Sequence, residues 1–252
     1  MNRPTMIALA ALLLAAPCEA AELKVISAGA VRTVVGSMID EYSKQSGIKF
    51  HFTTGPTGLL RNTIASGAPA DLIIASGPLM TELEKTGKIM PGSRVDLGRI
   101  GLGVVIRDGA AAPDVSTPDA LKQTLIKAQS IAHTDPKLGG TSVIHLMKIA
   151  NDLGIADIIE KKGVNSTGGN DAVAKVAKGE AEIAIVLVSE IHTKGGKLAA
   201  MLPEPLQLWT IYAAAIPTSS SDPAHARAFI DALTGPALRP RWAAAGWEPA
   251  PR

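Results

Sequence analysis

With 252 residues and a formal net charge of +2, the chain is long enough for one large domain or two modest ones. It is too nearly neutral, and too free of Lys/Arg runs, for a nucleic-acid or anionic-membrane binder. Hydrophobic residues make up 46% and aromatics only 3%, so any core must be built mainly from Ala, Val, Leu and Ile.

The first twenty residues stand apart. Arg3 supplies a positive start, and residues 6–16 form an unbroken apolar run too short to span a bilayer. Cys18-Glu19-Ala20 then offers small residues at the two positions a signal peptidase reads. This predicts a secretory signal peptide over 1–20, cleaved to leave Ala21-Glu22-Leu23, and a periplasmic mature protein. Lipid attachment at Cys18 is disfavoured because Pro17 precedes it where Gly, Ala or Ser is wanted. The single cysteine leaves with the leader, so no disulfide or thiol nucleophile is expected. No later apolar run is long enough to cross a membrane.

Beyond the leader, strand-like and helix-like segments alternate, which predicts α/β architecture. Residues 23–27 read as a buried strand. Val31, Val34, Val35, Met38, Ile39 and Tyr42 fall on one helical face, and Gly47 ends that helix. Residues 48–52 give a second strand, followed by a loop, a short helix to Ser66, and a third strand over 71–75. Thr117 before Pro118, and Ser221-Asp222 before Pro223, are helix starts with oxygen caps ahead of a first-turn proline. The helix from Pro223 should bury Ala226, Phe229, Ile230 and Leu233. Lys and Glu residues read as solvated surface. No internal repeat is visible. The strand-like stretches 94–108 and 206–217 are expected to cross between two lobes, one of 21–100 with 210–252 and the other of 101–209. Two crossings would form a hinge.

Four loops share one construction, a strand, a Gly/Ser/Thr-rich turn and a helix: Ser27-Ala28-Gly29-Ala30, Gly55-Pro56-Thr57-Gly58, Gly139-Gly140-Thr141-Ser142 and Ser166-Thr167-Gly168-Gly169-Asn170. Any one of them is ordinary capping chemistry. Two per predicted lobe, facing one cleft, would instead present helix N-terminal amides and hydroxyls to an anion. Gly29, Ala30, Thr57, Gly58, Thr141, Ser142 and Asn170 are the ligand-binding candidates, with Arg61 as a possible carboxylate clamp one turn after the second loop.

These loops, with Gly67-Ala68-Pro69-Ala70-Asp71-Leu72, Asp135-Pro136 and Gly179-Glu180-Ala181, resemble the molybdate-type substrate-binding proteins of ABC importers over most of the chain. The resemblance implies a two-lobed, type II-like periplasmic binding fold with the anion between the lobes, and an ABC permease as partner. The chain departs from the family's donor pattern. Ala30 stands where the family has a serine, Thr57 keeps a hydroxyl, and Leu187 stands where a tyrosine is frequent. With two of three side-chain donors missing, a tetrahedral oxyanion loses partners worth about 1–3 kcal/mol each. An organic di- or tricarboxylate is therefore expected in place of molybdate. A looser resemblance, to aconitate isomerase on the same fold, implies an alternative: cis/trans-aconitate interconversion by allylic proton transfer.

That alternative needs a base. The candidates near the loops are Asp171 and His145. No two of His51, His133, His145, His192 and His225 have metal-ligand spacing, so no metal is expected. No phosphate-loop or nucleophile-elbow pattern appears, and no cofactor is expected. A monomeric binding protein is the favoured expectation.

Overall fold

The computed structural model describes residues 21–191 and 195–251. The predicted leader and His192 lie outside the described residues. The strands are β1 (Glu22–Ala28), β2 (Lys49–Gly55), β3 (Leu72–Ser76), β4 (Val95–Ile100), β5 (Leu102–Arg107), β6 (Ile131–Thr134), β7 (Gly163–Ser166), β8 (Ile183–Leu187), β9 (Gly196–Met201) and β10 (Thr210–Ala215). The α-helices are α1 (Arg32–Ser46), α2 (Thr57–Ala65), α3 (Gly77–Lys85), α4 (Pro118–Lys127), α5 (Thr141–Asp152), α6 (Ala156–Lys162), α7 (Gly169–Lys178), α8 (Pro223–Thr234) and α9 (Arg239–Ala244).

The strands form two five-stranded sheets, in the orders β2-β1-β3-β10-β4 and β7-β6-β8-β5-β9. In each, four strands run one way and one runs against them: β1 pairs parallel with β2 and β3, and β6 with β7 and β8, while β10 is antiparallel to β3 and β4, and β5 to β8 and β9. The sheets therefore repeat one strand order, although the sequence shows no repeat. The fold is α/β and two-lobed. Strand-helix alternation explains the parallel part, because a parallel neighbour requires a crossover connection and the helices supply it.

The stretch 94–108 is not one strand. Gly101 divides it, with β4 in the first sheet and β5 in the second. The chain returns through residues 202–209, which carry a short turn at Glu204–Leu206. β10 itself belongs wholly to the first sheet.

Fully buried aliphatic strands, such as β3 and β8, sit between helices on both faces. α8 buries Ala226, Phe229, Ile230 and Leu233, the face its spacing predicts. The few aromatics are concentrated in the first lobe. Phe229 packs on Tyr42 and Phe50, and Trp247 on Tyr212 and Trp242. α1 ends at Gly47, whose φ of 74° is left-handed and suits glycine. No helix among the described residues is long and apolar enough to cross a membrane.

Candidate functional site

The carboxyl ends of β1 and β2 in one sheet, and of β6, β7 and β8 in the other, face a common cavity of about 340 Å³. In α/β sheets this is where ligands bind. Each of the four predicted loops contributes to its wall: Gly29 and Ala30, then Thr57, then Thr141 and Ser142, and finally Gly169, Asn170 and Asp171.

The helices that begin at this cavity are left uncapped. α2, α5 and α7 follow Pro56, Gly140 and Gly168, none of which gives a side-chain cap. Of the helices that start away from the cavity, α4 and α8 are capped by Thr117 on Ala120 N–H and Asp222 on His225 N–H, whereas α3, α6 and α9 also lack a side-chain cap. First-turn amides carry donor capacity and partial positive charge; of those at this cavity, Gly58 N–H is taken by Gly139 O and Gly169 N–H by Glu190. Arg32, exposed at the start of α1, adds a guanidinium to the same wall.

The two halves touch at the cavity. Thr57 Oγ1 lies 3.2 Å from Thr141 Oγ1, and the Tyr212 hydroxyl is 3.5 Å from the same Thr141 oxygen. Gly58 N–H donates to Gly139 O across the sheets at 3.2 Å. A Cβ on Gly58 would come 2.5 Å from Leu138 O, so the close approach requires glycine there.

Three of the predicted site residues are not among those lining the cavity. Gly58 serves the contact just described. Arg61 is exposed and forks onto Glu82 at 3.0–3.2 Å. His145 Nε2 lies 2.8 Å from Leu206 O, in the return connection. Arg61 and His145 instead share a separate cleft with Trp209. Asp171 lines the cavity, but its carboxylate accepts from Thr167 N–H at 2.9 Å and from the Thr167 hydroxyl at 3.3 Å. Ala30 and Leu187 both line the wall with apolar groups, and both are buried.

Sequence reasoning missed the most unusual group. Glu190 is not solvated surface: it is only 7% exposed and lines the cavity from the single helical turn Val188–Glu190 after β8. Its Oε2 accepts from Leu187 N–H at 3.3 Å, and Gly169 N–H also serves the carboxylate. Burial pushes its pKa up to about 7, against the opposing pull of those two amides. Tyr212, also missed, is buried, and burial raises its phenol well above its ordinary range. Among the described residues, no cluster of three His, Cys, Asp or Glu side chains is arranged to hold a metal.

Residues 23–248 match the family model for bacterial extracellular solute-binding proteins. The chain belongs to that family. Among curated relatives, this solute-binding protein is 32% identical over 241 residues to the aconitate isomerase of a Pseudomonas species, covering 91% of this chain and 90% of that one. It is 30% identical over 237 residues to a molybdate-binding protein of Azotobacter vinelandii, covering 92% and 91%. In fold it is similar to the solved periplasmic molybdate-binding protein of Azotobacter vinelandii, with a TM-score of 0.75 at 21% identity, over 91% of this chain and 100% of that one.

Proposed function

We propose that this solute-binding protein captures a small organic di- or tricarboxylate between its lobes in the periplasm and delivers it to an ABC permease. The observation that carries this reading is the convergence of the uncapped α2, α5 and α7 on a cavity whose wall is apolar at Ala30 and Leu187. Amide donors spread over several loops suit carboxylates held apart on a carbon chain. The cavity of about 340 Å³ also falls in the range, roughly 300–1,000 Å³, of pockets that enclose organic ligands.

A thermal-shift screen of citrate and both aconitates against molybdate, tungstate and sulfate tests the proposal. A bound carboxylate at a hundred times its Kd should stabilise the protein by about 2.7 kcal/mol. Submicromolar molybdate affinity by calorimetry would contradict the reading. Thr57→Ala is expected to weaken the carboxylate by about 1–3 kcal/mol, because its hydroxyl stands at the start of α2 beside the place for a charged oxygen. Unchanged affinity would remove Thr57 from the site.

A second reading, interconversion of cis- and trans-aconitate, is favoured by one specific observation. The cavity contains a buried carboxyl group, Glu190, and an allylic proton shift needs a base inside the site. The similarity to an aconitate isomerase over 91% of the chain supports the same reading.

A further inference from the structure

We propose that Glu190 is the catalytic acid–base that moves a proton along a bound unsaturated tricarboxylate, an inference that rests on the isomerase reading above. Of the cavity's two carboxylates, Asp171 is half-buried and already bonded to Thr167. Glu190 is buried and flanked by one glycine from each lobe. A Cβ on Gly169 would lie 1.9 Å from Oε2, so only glycine admits the carboxyl at the start of α7. A Cβ on Gly29 would lie 3.5 Å from Oε1, an ordinary contact, so Gly29 borders that oxygen from the other lobe. Its raised pKa agrees with this placement, since both protonation states are populated near neutral pH. The charged and titratable groups around the same cavity are Arg32 on α1, Asp171 on α7 and Tyr212 on β10.

The chemistry balances without a cofactor. A Glu190 carboxylate oxygen removes a proton from the allylic methylene of trans-aconitate. The C–H electron pair forms the new double bond, and the old double bond's pair shifts to its far carbon and the carboxylate there. The resulting carboxylic acid returns the proton to that far carbon, which gives the cis isomer and restores the carboxylate. The transient negative charge is met by the first-turn amides of α2 and α5 and by Arg32.

The test incubates the purified full chain with trans-aconitate and follows the cis isomer by chromatography, beside calorimetry on the same samples. Wild type should convert the substrate, with kcat/KM rising through an apparent pKa near 7. Glu190→Gln should still bind trans-aconitate measurably by calorimetry, yet lose roughly 10²–10⁴-fold in conversion. Glu190→Asp should recover part of that loss and, as a second variant, covers the case in which the glutamine protein misfolds. Conversion by Glu190→Gln at near wild-type rate would overturn the assignment while leaving the isomerase reading intact. Tight binding without conversion by wild type would overturn the isomerase reading itself, and the assignment with it.

Discussion

Gly58→Ala is expected to weaken capture of the anion by tenfold or more while leaving the ligand-free protein as stable as before. The added methyl meets Leu138 O at 2.5 Å, at the place where the two halves touch. Overpacking of this kind costs about 1–3 kcal/mol, and about 1.4 kcal/mol is tenfold in affinity. Among the described residues the chain passes between the two sheets at Gly101 and through residues 202–209, and lobes hinged at these crossings can relieve the clash by parting. The cost then falls on the closed, ligand-gripping arrangement rather than on folding. Within α2 the alanine is itself a better helix former than glycine, by about 1 kcal/mol. Calorimetry and thermal denaturation on the same sample check both halves of this expectation. Unchanged affinity would mean that the Gly58–Gly139 contact is not needed for binding.

The ligand-free protein is also expected to lose stability as pH rises from 5 to 8. Glu190 keeps its proton in the folded state up to about pH 7, whereas the unfolded chain loses it near the ordinary value of 4.5. Folding between these values takes up a proton, so the contribution is fully present below the lower pKa and disappears as pH climbs through the upper one. The displacement corresponds to a stability change on the order of 3 kcal/mol. Asp71 acts in the opposite direction and at lower pH. Burial tends to raise its pKa, but hydrogen bonds from Lys24 N–H, Ser221 and Ser220 outweigh that and hold it below the carboxylate range. Its contribution is present above its ordinary pKa and is lost as pH falls, outside the window of the Glu190 effect. Urea titrations at pH 5 and 8 measure the difference, and Glu190→Gln should flatten it. An equal pH slope in that variant would assign the effect to other groups.

The fold was legible where local chemistry decides it. The apolar spacing of α1, its stop at Gly47, the caps at Thr117 and Asp222 and the buried face of α8 are all set by near neighbours in sequence. The four glycine-rich loops were legible for the same reason, since a strand, a tight turn and a helix start follow one another in the chain. The stretch around Gly101 was legible as extended but not as two strands, because the division depends on sheet partners far away in sequence.

Within the site, the errors follow the same line. Arg61 and His145 lie one turn past their loops, and a helical turn is enough to rotate a side chain out of the cavity. Glu190 sits among Val188, Ser189 and Ile191, with no local sign of its role. It becomes distinctive only when β8 lies beside β6 and brings Leu187 N–H and Gly169 N–H to one carboxylate. The available hint was positional: Ser189-Glu190 follows a buried strand at the same sheet edge where β6 and β7 end in site loops.

The central claim is that the loops of both lobes hold an organic carboxylate in the shared cavity. A crystal structure of the protein soaked with trans-aconitate or citrate tests it most directly. Ligand density is expected between Gly29, Thr57, Thr141 and Asn170, with carboxylate oxygens on the first-turn amides of α2 and α5. Density only in the separate cleft beside Arg61, His145 and Trp209, with the shared cavity holding water alone, would contradict it.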